Sequence, residues 1–234
     1  PTDPELSLAL ETGASRSLTL GWTQVQIAGA SWREIDAICA LYAAGRLKLR
    51  LYAAIGGPGA AAEKLLAAGQ NYKSCDPRLT VRAIKLFIDG ALGSRGAALE
   101  APYSDSPESR GLFVTQPEEI LRISVAGLKS GIQIETHAIG DRGNRLVLDQ
   151  YEKAFATVPA NERPVADPRF RIEHAQVVDA ADMPRFAKLG VIASMQTSHA
   201  ISDMLFAPAR LGPERIAGAY AWRSLMNAGA RIAG

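Results

Sequence analysis

Short apolar runs alternate with segments of helical periodicity along most of this chain. Apolar runs typical of strands lie at Trp22–Ile27, Leu47–Ile55, Val81–Ile88, Ile132–Thr136, Phe170–Glu173 and Val191–Met195, and a further one begins at Arg231. Helical spacing follows Ser31 as far as Gly45, and recurs at Ala60–Ala68, Glu118–Lys129, Arg142–Phe155, Ala181–Leu189 and Glu214–Ala228. This alternation predicts βα units around a parallel sheet.

The number of these units suggests a particular α/β fold. Eight βα units in about 250 residues make a TIM (β/α)8 barrel, and here we count six full strands and the start of a seventh. We therefore predict an incomplete barrel that lacks the first strand and the end of the last. A doubly wound sheet is the alternative, although no Gly-x-Gly-x-x-Gly follows a strand. No linker divides the sequence, so residues 1–234 are predicted to form one partial barrel domain.

Composition and charge narrow the range of partners. The chain has 234 residues, 47% of them hydrophobic, and a formal net charge of +2. Its basic residues are scattered, so we expect no nucleic-acid partner. No apolar run approaches the roughly 18 residues of a membrane span, so no membrane partner is expected, and no signal peptide is visible. A cytoplasmic location is the resulting expectation. Cys39 and Cys75 lack the spacing of a metal site and are predicted to be unpaired.

Three histidines occupy similar positions in the predicted sheet. His137, His174 and His199 each stand at the downstream end of a short apolar run. Because the carboxyl ends of parallel strands meet at one rim, residues far apart in sequence are expected to converge there.

Strand alternation adds a lysine to this rim. Side chains two apart in a strand share a face, so the bulky Ile84, Leu86 and Ile88 would meet the helices while Lys85 and Asp89 face the barrel axis. A lysine and histidines together indicate a metal or acid–base site, but a catalytic metal needs three or more protein ligands. The structural alternative is that each is a hydrogen-bonded or ion-paired residue at a strand end.

Several sequence blocks together resemble one family. The blocks are KLFIDGALGSR at Lys85–Arg95, HAIGDRGN at His137–Asn144, EHAQ at Glu173–Gln176, SMQTSH at Ser194–His199 and SDM at Ser202–Met204. In this order they are similar to amidohydrolase family 3, the YtcJ-like metal-dependent hydrolases that include N-substituted formamide deformylase. The resemblance implies a metal-dependent amidohydrolase barrel with one or two divalent ions, zinc being the expected metal.

The resemblance also assigns ligands. It implies that Lys85, His137 and His174 hold the metal; in this superfamily the lysine that Lys85 matches is often carboxylated to bridge two metals. Departures from the family pattern are the absence of any His-x-His pair and an expected aspartate that would fall just beyond Gly234. Since the chain also has no initiator Met, we expect a piece of a longer protein whose metal site is incomplete by itself.

Four further residues are candidates for the substrate side of the site. His199 and Asp141 are predicted catalytic residues, although Asp141 also fits the N-cap of the helix that follows it. Arg95 and Gln196 are predicted to contact the substrate or to support the metal ligands through hydrogen bonds. The family more often has Gln-Pro-Thr-His where this chain has Gln-Thr-Ser-His, but the histidine is kept.

The predicted function is metal-dependent hydrolysis of non-peptide carbon–nitrogen bonds, such as those of small amides or N-substituted formamides, by metal-activated water. A homodimer of the full-length protein is a possible assembly. The first alternative is a truncated or non-catalytic barrel fragment without a complete metal site. The second is an aldolase-like barrel in which Lys85 forms a Schiff base, which would leave the histidines without a role.

Overall fold

The computed structural model describes residues 1–234 and divides into two compact units, Pro1–Lys85 and Leu86–Gly234. The single domain expected over residues 1–234 stays a prediction. None of the helices is both long enough and apolar enough to cross a lipid bilayer.

The first unit is built of parallel strands and helices in alternation. Its elements are α1 (Asp3–Thr19), β1 (Gln24–Ala30), α2 (Trp32–Ala43), β2 (Arg50–Gly56), α3 (Ala60–Ala68) and β3 (Leu79–Phe87), of which β3 runs two residues past the unit's end. Strand β2 pairs in parallel with both β1 and β3, as the alternation predicts. Ser31 caps α2 through a reciprocal hydrogen-bonded pair with Glu34, which fixes the predicted start of that helix.

Helix α1 has no counterpart among the predicted elements. Thr2 and Glu5 form a capping box at its start, but only Leu6 and Ala14 of its residues are buried. Because so few positions are buried, the apolar spacing that normally indicates a helix is weak here.

A disulfide joins Cys39 to Cys75 within the first unit. The two Cα atoms are 5.9 Å apart, and 36 positions separate the residues in sequence. The prediction that both cysteines are unpaired was therefore wrong. Helix α2 and the loop before β3 bring the sulfurs together, and this tertiary proximity leaves no signal in the local spacing of the cysteines.

The second unit continues the same alternation. Its elements are α4 (Pro117–Ser130), β4 (Gln133–Ala138), α5 (Asp141–Thr157), β5 (Arg171–His174), α6 (Met183–Leu189), β6 (Ile192–Ser194), α7 (Thr197–Ser202), α8 (Ala207–Arg215), α9 (Trp222–Asn227) and β7 (Arg231–Ala233). Strands β4 to β7 pair in parallel, each with the next in sequence. The predicted strands of this unit are thus confirmed, with small shifts in their bounds.

The helix predicted over Glu214–Ala228 was wrong as a continuous element. Helix α8 ends at Arg215 and α9 begins only at Trp222. Between them Tyr220 adopts a left-handed backbone with φ of 53°. Left-handed backbone is unfavourable for a residue with a Cβ, so the chain cannot continue there as a helix.

The segment between β3 and α4 is a long loop, as its Gly, Ser and Pro content predicts. It is well packed, because several of its apolar side chains join a buried cluster with α8. This cluster consists of Leu92, Ala97, Leu99, Tyr103, Ile139, Val177, Ala207 and Leu211. The hydroxyl of Tyr103 donates to the Ala97 carbonyl at 2.7 Å inside it. The loop is therefore a fixed part of the second unit.

Candidate metal centre

Strands β4 and β5 place two histidine rings side by side. In their parallel register His137 is opposite Glu173 and Ala138 is opposite His174. The ring centroids of His137 and His174 are 4.7 Å apart, in an edge-to-face arrangement. The predicted convergence of these two side chains at the carboxyl ends of their strands is what the structure shows.

One ring nitrogen of His137 faces oxygen atoms. Its Nε2 lies 3.3 Å from Oδ1 of Asp89 and 3.4 Å from the carbonyl oxygen of Gly90. These oxygens favour a proton on Nε2, because two acceptors surround it. The lone pair of the neutral ring then belongs to Nδ1, which is the nitrogen able to coordinate a metal.

The Asp89 carboxylate that orients His137 is itself rigidly held. It is almost fully buried, and it accepts hydrogen bonds from the backbone N–H groups of Ala98, Ile139 and Gly140 at 2.9, 3.0 and 2.8 Å. These donors stabilise the charge in place of water. Asp89 thus joins the end of β3, the long loop and the end of β4 around the His137 ring.

The ring of His174 is oriented by a side-chain amide. Its Nδ1 lies 2.6 Å from Oε1 of Gln196, whose own Nε2 donates to the Ser194 carbonyl at 3.3 Å. The second contact fixes which way the amide faces, so His174 donates through Nδ1 and presents the lone pair of Nε2. Gln196, predicted to contact the substrate, is placed by the structure as a partner of His174.

His174 also has an unusual backbone. Its φ is 77°, and the following Ala175 has φ of 41°, so two consecutive residues are left-handed at the end of β5. Such strain in residues with a Cβ costs about 1–3 kcal/mol each and is concentrated at functional sites.

His199 extends the pair into a row of three rings. It lies in α7, and its ring stacks on that of His174 with centroids 5.3 Å apart and planes inclined by 26°. The structure therefore brings together all three histidines of the chain, with His174 in the middle.

Lys85 belongs to the first unit. It lies near the end of β3 with only 3% of its surface exposed, and its carbonyl accepts from the Gly57 backbone N–H at 3.0 Å. Gly29 comes close to it: a Cβ added there would be 3.9 Å from Cγ of Lys85. That distance is an ordinary van der Waals contact, so glycine is favoured at this position by its φ of 114° and not by lack of space.

Arg95 is held by the long loop. Its guanidinium forms a double hydrogen bond with the Asp105 carboxylate at 3.1 and 3.0 Å, and Asp105 also binds Arg210 of α8. Arg95, with help from Arg210, lowers the pKa of Asp105 below its usual value. This ion-pair cluster fastens the loop to α8, while the predicted substrate contact of Arg95 stays a prediction.

Asp141 is the first residue of α5, and Gly140 is the N-cap. The expectation that Asp141 caps this helix was wrong. A Cβ at Gly140 would lie 1.9 Å from the Ala98 carbonyl oxygen, so no residue with a side chain fits at the cap. The Asp141 carboxylate instead accepts from the backbone N–H groups of Glu100 and Arg142, both at 2.9 Å.

The donor set of a metal centre is only partly present among these groups. No cluster of three or more His, Cys, Asp and Glu side chains in the chain could hold a metal ion. His137 and His174 nevertheless fit two positions of such a centre, because one ring nitrogen of each is oriented by an oxygen partner, as is usual for a metal-binding histidine.

Sequence reasoning missed a second group of polar residues near the histidines. Gln176, Asp203 and Tyr220 form a hydrogen-bonded triangle. The first two fall in blocks that carry the family resemblance, which was the available signal. No sequence signal marked Tyr220, because it reaches Gln176 and Asp203 only through the irregular segment before α9.

Comparison with known proteins places the chain in a family. The sequence model of the amidohydrolase family matches residues 3–234. The chain belongs to the amidohydrolase family. Among its amidohydrolase-family matches, Protein LONG AFTER FAR-RED 3 of Arabidopsis thaliana is 39% identical over 156 residues, 66% of this chain. YtcJ of Bacillus subtilis is 35% identical over 162 residues, 69% of this chain.

Solved structures agree with this membership. An uncharacterized metal-dependent hydrolase from Pyrococcus horikoshii superposes over 100% of this amidohydrolase-family chain with a TM-score of 0.81 and 27% identity. The predicted fold class, an incomplete α/β barrel of the TIM type, is confirmed by this likeness and by the family match. The chain spans 45% of the Pyrococcus protein, and its matches span 26% and 29% of the Arabidopsis and Bacillus proteins.

Proposed function

We propose that this chain supplies ligands for the divalent-metal centre of a hydrolase that acts on non-peptide carbon–nitrogen bonds, with small amides such as N-substituted formamides as substrates. The observation that carries the proposal is the pair of adjacent rings, His137 and His174, each oriented by a fixed oxygen partner. Membership of the amidohydrolase family supports the reaction class.

The proposed ligands are Nδ1 of His137 and Nε2 of His174. The sequence resemblance adds Lys85, carboxylated on its amine, as a further ligand. Neutral imidazole nitrogens favour zinc, which we propose as the metal, and a zinc centre keeps three or more protein ligands. When bound, the metal supplies an activated water and polarises the substrate carbonyl.

The remaining residues act around this centre. Asp89 and Gln196 hold the proton on the ring nitrogen that each of them faces, so that in the neutral ring the lone pair lies on the opposite nitrogen. His199, stacked on His174, is proposed to contact the substrate carbonyl or the leaving amine. The catalytic role of Asp141 stays a prediction.

The proposal is tested with the protein purified at its natural length. Metal is removed by chelation and then restored as Zn²⁺, Co²⁺ or Mn²⁺, and amine release is measured from N-substituted formamides and cyclic amides. We expect turnover only after metal is restored, and its loss in His137→Asn and His174→Asn. Hydrolysis that is unaffected by chelation, or by both substitutions, would contradict the proposal.

A matched control comes from the third histidine. His199→Asn should keep the metal content and lose turnover, because His199 is assigned to the substrate and not to the metal. A Schiff base on Lys85 is tested separately, since borohydride with a carbonyl substrate would leave an adduct on that lysine.

A non-catalytic role is the second candidate function. It is favoured by the finding that no group of three or more His, Cys, Asp and Glu side chains within this chain could hold a metal ion. It predicts a folded protein that shows no turnover at natural length with any of the three metals.

A further inference from the structure

Helix α7, which carries His199, is tied at both ends to the end of strand β5. Gln196, just before the helix, accepts from Nδ1 of His174 at 2.6 Å. Asp203, just after it, accepts from Nε2 of Gln176 at 2.9 Å. Two residues separated by a single position in the chain therefore hold the two ends of a six-residue helix.

Tyr220 closes the second tie into a triangle. Its hydroxyl donates to Oδ2 of Asp203 at 2.8 Å and accepts from Nε2 of Gln176 at 3.1 Å. Its backbone N–H donates to the Gln176 carbonyl at 2.7 Å. Burial, together with the hydrogen bond to Asp203, raises the pKa of Tyr220, so the hydroxyl keeps the proton that it donates.

The triangle is connected directly to His199. The backbone N–H of Asp203 donates to the His199 carbonyl at 2.9 Å, and the Ser202 hydroxyl donates to Oδ1 of Asp203 at 2.8 Å. A six-residue helix has too few internal hydrogen bonds to hold its own orientation. The direction of the His199 side chain therefore depends on the bonds from Gln196 and Asp203 to the residues at the end of β5.

The backbone conformation around the triangle also indicates that these residues are held in place by their neighbours. His174, Ala175 and Tyr220 all have positive φ, at 77°, 41° and 53°. Strain of this kind persists only where neighbouring groups fix the conformation. Gln176 is the neighbour common to both strained segments, since it follows Ala175 and bonds Tyr220 through both its side chain and its carbonyl.

We propose that Gln176, Asp203 and Tyr220 are positioning residues that set the His199 ring against the His174 ring. The part of His199 in catalysis rests on the proposed function, but its placement does not. The competing explanation is that the triangle contributes only to the stability of the fold.

Because the chain has three histidines, their ring signals in a proton–carbon NMR spectrum are few and can be assigned with His199→Gln. We expect Tyr220→Phe to shift and broaden the His199 signal, since the hydroxyl that ties Asp203 is lost. The His137 signal should stay in place, because none of the triangle's hydrogen bonds involves that ring.

Tyr103→Phe is the matched control. It removes another tyrosine hydroxyl bond from the buried cluster against which Tyr220 packs, without touching α7. It should lower the melting temperature and leave the His199 signal unchanged. If Tyr220→Phe lowers stability in the same way and also leaves the His199 signal unchanged, the triangle is only structural and the proposal is wrong.

A second pair of variants decides the question should Tyr220→Phe not fold. Asp203→Asn keeps an acceptor oxygen and should hold the His199 signal near its native position, whereas Asp203→Ala should move it. Identical signals in both would overturn the proposal. These readouts need no substrate, so a protein without hydrolytic activity would contradict the proposed function and leave the positioning result intact.

Discussion

Nδ1 of His174 lies 2.6 Å from Oε1 of Gln196, so one nitrogen of the central ring is already engaged by the protein. This contact joins the ends of two parallel strands and fixes the face that His174 presents.

The first prediction concerns this contact. Gln196→Leu removes the acceptor and should weaken zinc affinity by about 10- to 100-fold, the usual effect of losing the partner of a metal-binding histidine. Affinity is measured by competition with a chromophoric chelator. Gln196→Glu keeps an oxygen for Nδ1 and should retain most of the affinity. Equal affinities for the Leu variant and the native protein would show that the contact does not orient a ligand.

The second prediction concerns the close approach of backbone at the start of α5. A Cβ at Gly140 would lie 1.9 Å from the Ala98 carbonyl oxygen, so Gly140→Ala must displace the loop and disturb the Asp89 hydrogen bonds. A buried backbone N–H that loses its acceptor costs about 1–3 kcal/mol, so we expect the free energy of unfolding to fall by at least that amount.

Gly13→Ala is the control for this substitution. Nothing lies within 4 Å of a Cβ at Gly13, which is inside helix α1. Alanine is the better helix former there by about 1 kcal/mol, so this variant should be as stable as the native protein or more so. Urea denaturation measures the free energy of unfolding of both variants. A Gly140→Ala variant as stable as the native protein would contradict the close packing of Gly140 against Ala98.

The third prediction concerns the disulfide. Closing the loop between Cys39 and Cys75 restricts the unfolded chain and should stabilise the first unit by about 3–4 kcal/mol. Reductant should therefore lower the unfolding midpoint of the native protein and leave that of the Cys39→Ser/Cys75→Ser double variant unchanged. A native midpoint insensitive to reductant would show that the bond does not form.

The same bond bears on where the protein acts. Disulfides that persist are typical of oxidising compartments, whereas the sequence alone led to a cytoplasmic expectation. Mass spectrometry of unreduced peptides from the natural source would decide between an oxidising compartment and the cytoplasm. Linked Cys39 and Cys75 would support the first, and two alkylated cysteines would support the second.

The fourth prediction is a pH dependence. Hydrogen bonds from the Arg78 side chain and backbone lower the pKa of Asp76 to about 2. A carboxyl group whose pKa is lower in the folded state than in the unfolded state stabilises the folded protein at pH values above its unfolded pKa, which is near 4. This contribution is lost as the pH falls toward 2. Asp76→Asn should thus be less stable at neutral pH and show a shallower fall in melting temperature between pH 4 and 2. An unchanged slope would contradict the assignment.

The local pattern of apolar residues was sufficient to predict most strands of the sheet. The strands that carry His137 and His174 were located because a buried parallel strand is a continuous apolar run, and a polar residue marks the region where it ends. The convergence of the two rings followed from topology alone.

Features set by tertiary contact were not predictable in this way. The Cys39–Cys75 bond and the hydrogen bonds of Tyr220 join residues whose local sequence carries no mark of the partner. The family resemblance made Gln196 a candidate for substrate contact or for support of the metal ligands, but it did not show which ring Gln196 would bond, and the structure identifies His174.

The most direct test of the central claim is zinc titration of protein labelled with ¹⁵N in its histidine rings, followed through the ring nitrogen signals. The orientation of the rings by Asp89 and Gln196 predicts that Nδ1 of His137 and Nε2 of His174 shift on zinc binding, while both nitrogens of His199 stay in place. Shifts of the opposite nitrogens, or of His199 in place of the other two, would contradict the proposed metal centre.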